Sequence, residues 1–238
     1  MTLDLTTVAV VSGFIVTLCG VVFILNTTLR RSDRVGRIWS VAFVAAILET
    51  LAYTIQELQP SAWWAVAVGN GAFVLAIGML WSGNRAANER RSLYLIPPAV
   101  GVLVAVAVLV RGPHGGAWAG AAEMFVATAA LAALGFAETL RGRLAPSLNA
   151  RVLGIALLLA ASYYAARAAV LLALGPDDPG FRLGFGAITA TLVDLGLVVI
   201  GTTTISLLQA ERFRRPGLLD PSESDADGLL GPARFRSL

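Results

Sequence analysis

Seven apolar runs dominate this chain, at about 6–28, 38–57, 62–82, 93–110, 117–140, 150–174 and 183–209. Each is close to the ~20 residues that a helix needs to cross a bilayer. In hydrocarbon every backbone polar group must be satisfied internally, so runs of this kind fold as helices. Charged residues make up only 14% of the sequence, against about 25% in soluble domains, and a water-soluble core does not fit. The expected fold is all-α: a polytopic membrane protein with a seven-helix transmembrane bundle over 1–209 and a cytoplasmic segment over 210–238. The first run begins after Asp4, without a basic n-region, and reads as a retained helix and not as a cleaved signal.

Basic residues alternate between the loops. Four follow the first run (Arg30, Arg31, Arg34, Arg37), none the second, and three the third (Arg85, Arg90, Arg91). One follows the fourth (Arg111), three the fifth (Arg141, Arg143, Arg151), one the sixth (Arg182), and five lie in the tail (Arg212, Arg214, Arg215, Arg234, Arg236). The positive-inside rule then places the N-terminus outside and the C-terminus in the cytoplasm. Trp39, Trp63, Trp64, Trp81 and Trp118 fall near the ends of runs, where indole rings favour the headgroup zone. The same alternation explains the basic balance without nucleic acid, which is not an expected partner.

Composition narrows the chemistry. All 18 basic residues are Arg, so a lysine Schiff base, including a retinal linkage, has no site. A single cysteine, Cys19, and a single histidine, His114, supply neither an intrachain disulfide nor a bis-His haem. No metal or other cofactor is expected. Nucleophile elbows and phosphate-cradling loops are absent from the sequence, and the tail's Glu223, Asp225, Asp227 and Gly228 place Arg234 where a calcium loop needs a bidentate Glu.

Charges inside the runs carry the functional expectation. Glu49, Glu123, Arg167 and Asp194 are costly in a bilayer unless paired or hydrated. At ~1.5 Å per residue they lie roughly 9–16 Å from the outer ends of their helices, with Asn70 at a similar depth and Tyr53, Tyr163 and Tyr164 nearby. The candidate sensing residues are therefore Glu49, Tyr53, Asn70, Glu123, Tyr163, Arg167 and Asp194. They would form either a pocket for an unidentified small ligand, ion or lipid, or structural ion pairs within the packing. Gly116 with Gly120, and Gly69 with Gly71, suggest close helix contacts. Thr202, Thr203 and Thr204 can hydrogen-bond back to helix carbonyls and ease bending of the last run. Glu211, Arg212, Arg214 and Arg215 read as its cytoplasmic continuation and as signal-coupling residues.

Two stretches carry a resemblance. From Arg30 to Arg91 a basic loop, a helix with Trp39 and Glu49, a turn at Pro60, Gly69-Asn70, Leu80-Trp81 and a second basic loop follow one another. This resembles the multi-helix membrane sensor regions that precede GGDEF domains in bacterial diguanylate cyclases. The C-terminal stretch from Asp227 to Phe235 is similar to a degraded start of the GGDEF domain itself, matching at Gly228, Leu229 and Phe235. The resemblance implies a sensory, homodimerising module in a bacterial inner membrane, among membrane lipids, with cyclic di-GMP as the signalling output. The chain carries no GGDEF signature, so it is not expected to be an enzyme itself. The alternative from another class is a small-solute or proton transporter that uses the intramembrane Glu, Asp and Arg.

Overall fold

A computed structural model describes residues 5–29 and 34–214; the linker and GGDEF-like stretch expected beyond them lie outside the described residues. Eight α-helices follow in order: α1 (Leu5–Leu29), α2 (Arg34–Leu58), α3 (Trp64–Ala87), α4 (Ile96–Arg111), α5 (Ala121–Thr139), α6 (Leu148–Leu174), α7 (Pro179–Phe185) and α8 (Ala187–Arg214). No strand occurs among the described residues. Six helices, α1, α2, α3, α5, α6 and the last, are long and apolar enough to cross a membrane. That fits a multi-pass membrane protein.

The other two helices depart from the sequence expectation. The fourth run forms only 16 helical residues, α4, because Pro97 and Pro98 set its start and Gly112 its end. The seventh run is divided: Asp178 caps the seven-residue α7 by accepting from the amides of Gly180 and Phe181, and Gly186 separates it from α8.

The long helices close a ring. Each packs on the next in the order α1, α2, α3, α5, α6, α8, and α8 returns to α1. α4 stays outside, packed along α3. Glycine permits that contact: a Cβ on Gly71 would stand 3.0 Å from the Gly101 carbonyl oxygen, and one on Gly101 2.7 Å from that of Gly71. Gly116 has nothing within 4 Å of an added Cβ, so the expected Gly116–Gly120 contact is not a helix notch. Gly120 instead adopts φ +70° at the start of α5, beside Val108.

The basic loops gather at one end of the ring. Arg34 donates to Ser92 (3.3 Å), Arg143 pairs with Glu89 (2.8 Å), Thr27 of α1 meets Gln209 of α8 (3.3 Å), and Ser147 donates to Glu211 (2.8 Å). The junction at this end is tightly packed: Trp39 is wholly buried and its indole lies against Gly83, where a Cβ would collide with it. Trp39 and Trp81 are thus core residues, not members of a headgroup belt, whereas Trp64 is half exposed.

Candidate functional site

The ring encloses a cavity of about 450 Å³ lined by all six of its helices and not by α4. This volume falls within the range of small-molecule sites, ~300–1,000 Å³. Five of the seven expected sensing residues line it: Glu49, Tyr53, Asn70, Arg167 and Asp194. The two others stand apart. Glu123 faces outward and pairs with Arg111, both partly exposed. Tyr163 stacks edge-on against Tyr164 and packs on Phe185 without lining the cavity.

The lining residues are held by specific contacts. Tyr53 donates its hydroxyl to Asn70 Oδ1 (2.7 Å), and Asn70 Nδ2 donates to the Ala119 carbonyl (3.1 Å), linking α2, α3 and the start of α5. Gly69 makes this geometry accessible, because a Cβ there would stand 2.6 Å from the Tyr53 ring. Tyr164 donates to the Asp194 carboxylate, at 2.7 and 2.8 Å from its two oxygens, and so joins α6 to α8. Glu49 has one long contact, from the Thr50 hydroxyl at 3.4 Å.

Arg167 is the unusual member. It is 6% exposed, yet no acid lies within ion-pair distance of it among the described residues. Its Nε donates to the Phe185 carbonyl at the end of α7 (2.9 Å). The guanidinium carbon lies 4.3 Å from the Phe125 ring centre, 5.7 Å from Trp118 and 5.8 Å from Tyr164. Such faces attract a cation by about 0.5–2 kcal/mol each. They orient the charge without neutralising it. Phe181 of α7 is buried against Trp118 (5.1 Å), so this short helix lies over the arginine.

Tyr164, Trp118, Phe125 and Phe185 were outside the expected site. Tyr163 and Tyr164 stand four and three residues before Arg167, and both spacings make neighbours on a helix. Only packing against α8 shows that Tyr164 turns inward. The aromatic neighbours from α5 and α7 leave no comparable mark in spacing.

A second buried charge was also missed. Glu138, near the end of α5, is 2% exposed and accepts from Arg85 (3.0 Å), Arg90 (2.6 Å) and the Asn88 amide (3.3 Å). Asn88 also donates to the Glu138 carbonyl (2.8 Å) and accepts from the Leu144 amide (3.1 Å). The hub ties the α3–α4 loop to the α5–α6 turn. Its signal in the sequence was an acid at the edge of an apolar run beside two basic loops.

Among the residues expected to couple, Glu211 accepts from Ser147 and Asn149, fastening the end of α8 to the start of α6. Arg212 is the last described side chain of the group; α8 continues through Arg214, whose side chain, like Arg215, lies outside the described residues. Thr202, Thr203 and Thr204 each donate to the carbonyl four residues earlier, at 2.7–2.9 Å, as their run suggests. His114 is exposed in a short 3-10 turn. No group of three metal-ligating side chains occurs among the described residues.

No family model, curated protein or solved structure matches this chain.

Proposed function

We propose that the chain is a sensory module of a bacterial inner membrane, spanning it seven times with the N-terminus outside and the C-terminus in the cytoplasm. The observation that carries this reading is a cavity lined by the whole ring, in which a buried arginine has no acid within ion-pair distance among the described residues. The orientation rests on the basic loops, which share one end of the bundle. Cyclic di-GMP as output, and action as a homodimer, rest on the sequence resemblance to sensor regions of diguanylate cyclases. The module itself performs no catalysis.

The coupling element is α8. It lines the cavity from Ala187 to Ile205 and then runs on to Arg214 at the basic end. Its junctions with α1 and α6 are the thinnest in the ring, and its three threonine back-bonds favour bending. An occupant that prefers one placement of α8 shifts the population of that placement. Moving such an equilibrium from 1:99 to 99:1 takes about 10⁴-fold preferential binding. The polar contacts Thr27–Gln209 and Ser147–Glu211 are the bonds such a shift must exchange.

The test compares the native host with one carrying Arg167→Ala, at matched membrane levels of protein. The expected result is an altered cellular cyclic di-GMP level with insertion intact; an unchanged level would contradict the reading. One observation favours a transporter as the second reading: three acids, Glu49, Glu57 and Asp194, line the same cavity. Uptake or proton flux into proteoliposomes that is lost on Glu49→Gln would favour it over a sensor.

A further inference from the structure

We infer that the cavity takes an amphipathic anion, with a carboxylate or phosphate head at Arg167 and an apolar chain directed toward the basic end of the bundle. This deepens the sensory reading, on which its physiological meaning rests.

The cavity is polar in one half only. Glu49, Tyr53, Asn70, Tyr164, Arg167 and Asp194 line one part of it. On α2, α3, α6 and α8 the lining then turns apolar toward the basic end: Ala42 and Phe43 on α2, Ala76 and Leu80 on α3, Ala156 and Ala160 on α6, Leu197 and Ile205 on α8. Along α8 the stretch from Asp194 to Ile205 extends about 16 Å at 1.5 Å per residue. Water in that half would lack the two to four polar partners that hold a buried water. A hydrocarbon chain needs none.

Charge selects the head. A guanidinium offers five N–H donors and cannot lose its charge in a protein, whereas a carboxyl group can bind a proton. Arg167 spends one donor, Nε, on the Phe185 carbonyl, and its terminal nitrogens have no hydrogen-bond partner among the described residues. Asp194 already shares the single Tyr164 hydroxyl proton between its two oxygens. Glu49, Glu57 and Asp194 line the cavity as well, but each of these carboxyl groups can take up a proton, so the group that must keep its charge, and whose terminal donors lack an acceptor among the described residues, is the arginine. The fork geometry of its free nitrogens matches two oxygens of a carboxylate or phosphate. With Phe125 and Trp118 fixing its plane, the arginine is held ready before the ligand arrives.

The experiment uses the purified full chain in nanodiscs of zwitterionic lipid, titrated with dodecanoate, dodecyl phosphate, dodecanol and dodecyltrimethylammonium, with calorimetry as readout. Both anions are expected to bind, and the tighter of the two identifies the head. Dodecanol should bind at least tenfold more weakly than that anion. Arg167→Gln should reduce anion binding to the dodecanol level. Ala160→Phe, which fills the apolar half, should weaken dodecanoate and dodecanol alike and keeps the test valid should Arg167→Gln misfold. Equal binding of dodecanol and both anions, preference for the ammonium, or binding unaffected by both substitutions would overturn the inference. The sensory reading fails separately: it falls if ligand binds as described while Arg167→Ala leaves cellular cyclic di-GMP unchanged.

Discussion

Arg167 and Glu138 are buried to nearly the same extent, at 6% and 2% exposure, and their surroundings are opposite. Glu138 gathers two arginines and an asparagine amide from one interhelical junction, so the charge and its hydrogen-bonding capacity are met from within the protein. Arg167 has aromatic faces and one carbonyl in contact and no carboxylate within ion-pair distance among the described residues, with Asp194 acting on it only across the cavity. Burying a charge without a partner costs several kcal/mol. Selection for folding alone would satisfy or remove such a group, as the basic end of the same molecule does. On the proposed reading, the difference separates a charge that builds the bundle from one held for something that enters it.

Loss of Glu138 should have the largest effect. Glu138→Ala leaves Arg85 and Asn88 without their shared acceptor, and should destabilise the bundle by about 3 kcal/mol. The figure is at the low end of the range because Arg90 is 43% exposed and can turn to water. Equilibrium unfolding in mixed micelles measures it. A cost near zero would erase the contrast with Arg167. Gly83→Leu sharpens it by testing packing without charge. The added side chain must displace the buried Trp39 indole, at about 1–3 kcal/mol, and should broaden or shift Trp39 fluorescence. The smallest effect belongs to the outward pair. Arg111→Ala removes its bond to Glu123, but both groups are about 40% exposed. Such pairs contribute about 0.2–1 kcal/mol, so unfolding should scarcely change.

Helix positions were legible because bilayer-spanning runs are long, and the apolar patterning of 6–28 or 150–174 has no competing interpretation. The division of the last run was not, because Gly186 and a capping Asp178 act within a stretch that remains apolar on average. Nor was the shortness of α4 at its entry, where Pro97 and Pro98 set a start that apolarity alone does not mark. Within the site, depth along each helix brought Glu49, Asn70, Arg167 and Asp194 to one level. Depth says nothing of azimuth. Glu123 shares that level but points away from the cavity toward Arg111, and Tyr163 turns from it while Tyr164 faces in. Ring closure, α8 onto α1 and α6, joins elements far apart in sequence and decides which faces look inward.

The most direct measurement sets Arg167→Met beside Glu138→Ala in one unfolding experiment on the ligand-free protein. If Arg167 is held for an occupant, its replacement by an apolar side chain of similar length should leave stability within about 1 kcal/mol of the parent chain, or raise it, because an unpaired charge is removed. Glu138→Ala should unfold markedly earlier. An Arg167→Met bundle that is destabilised as much as Glu138→Ala would show that the arginine serves the fold, and the distinction between the two buried charges would not stand.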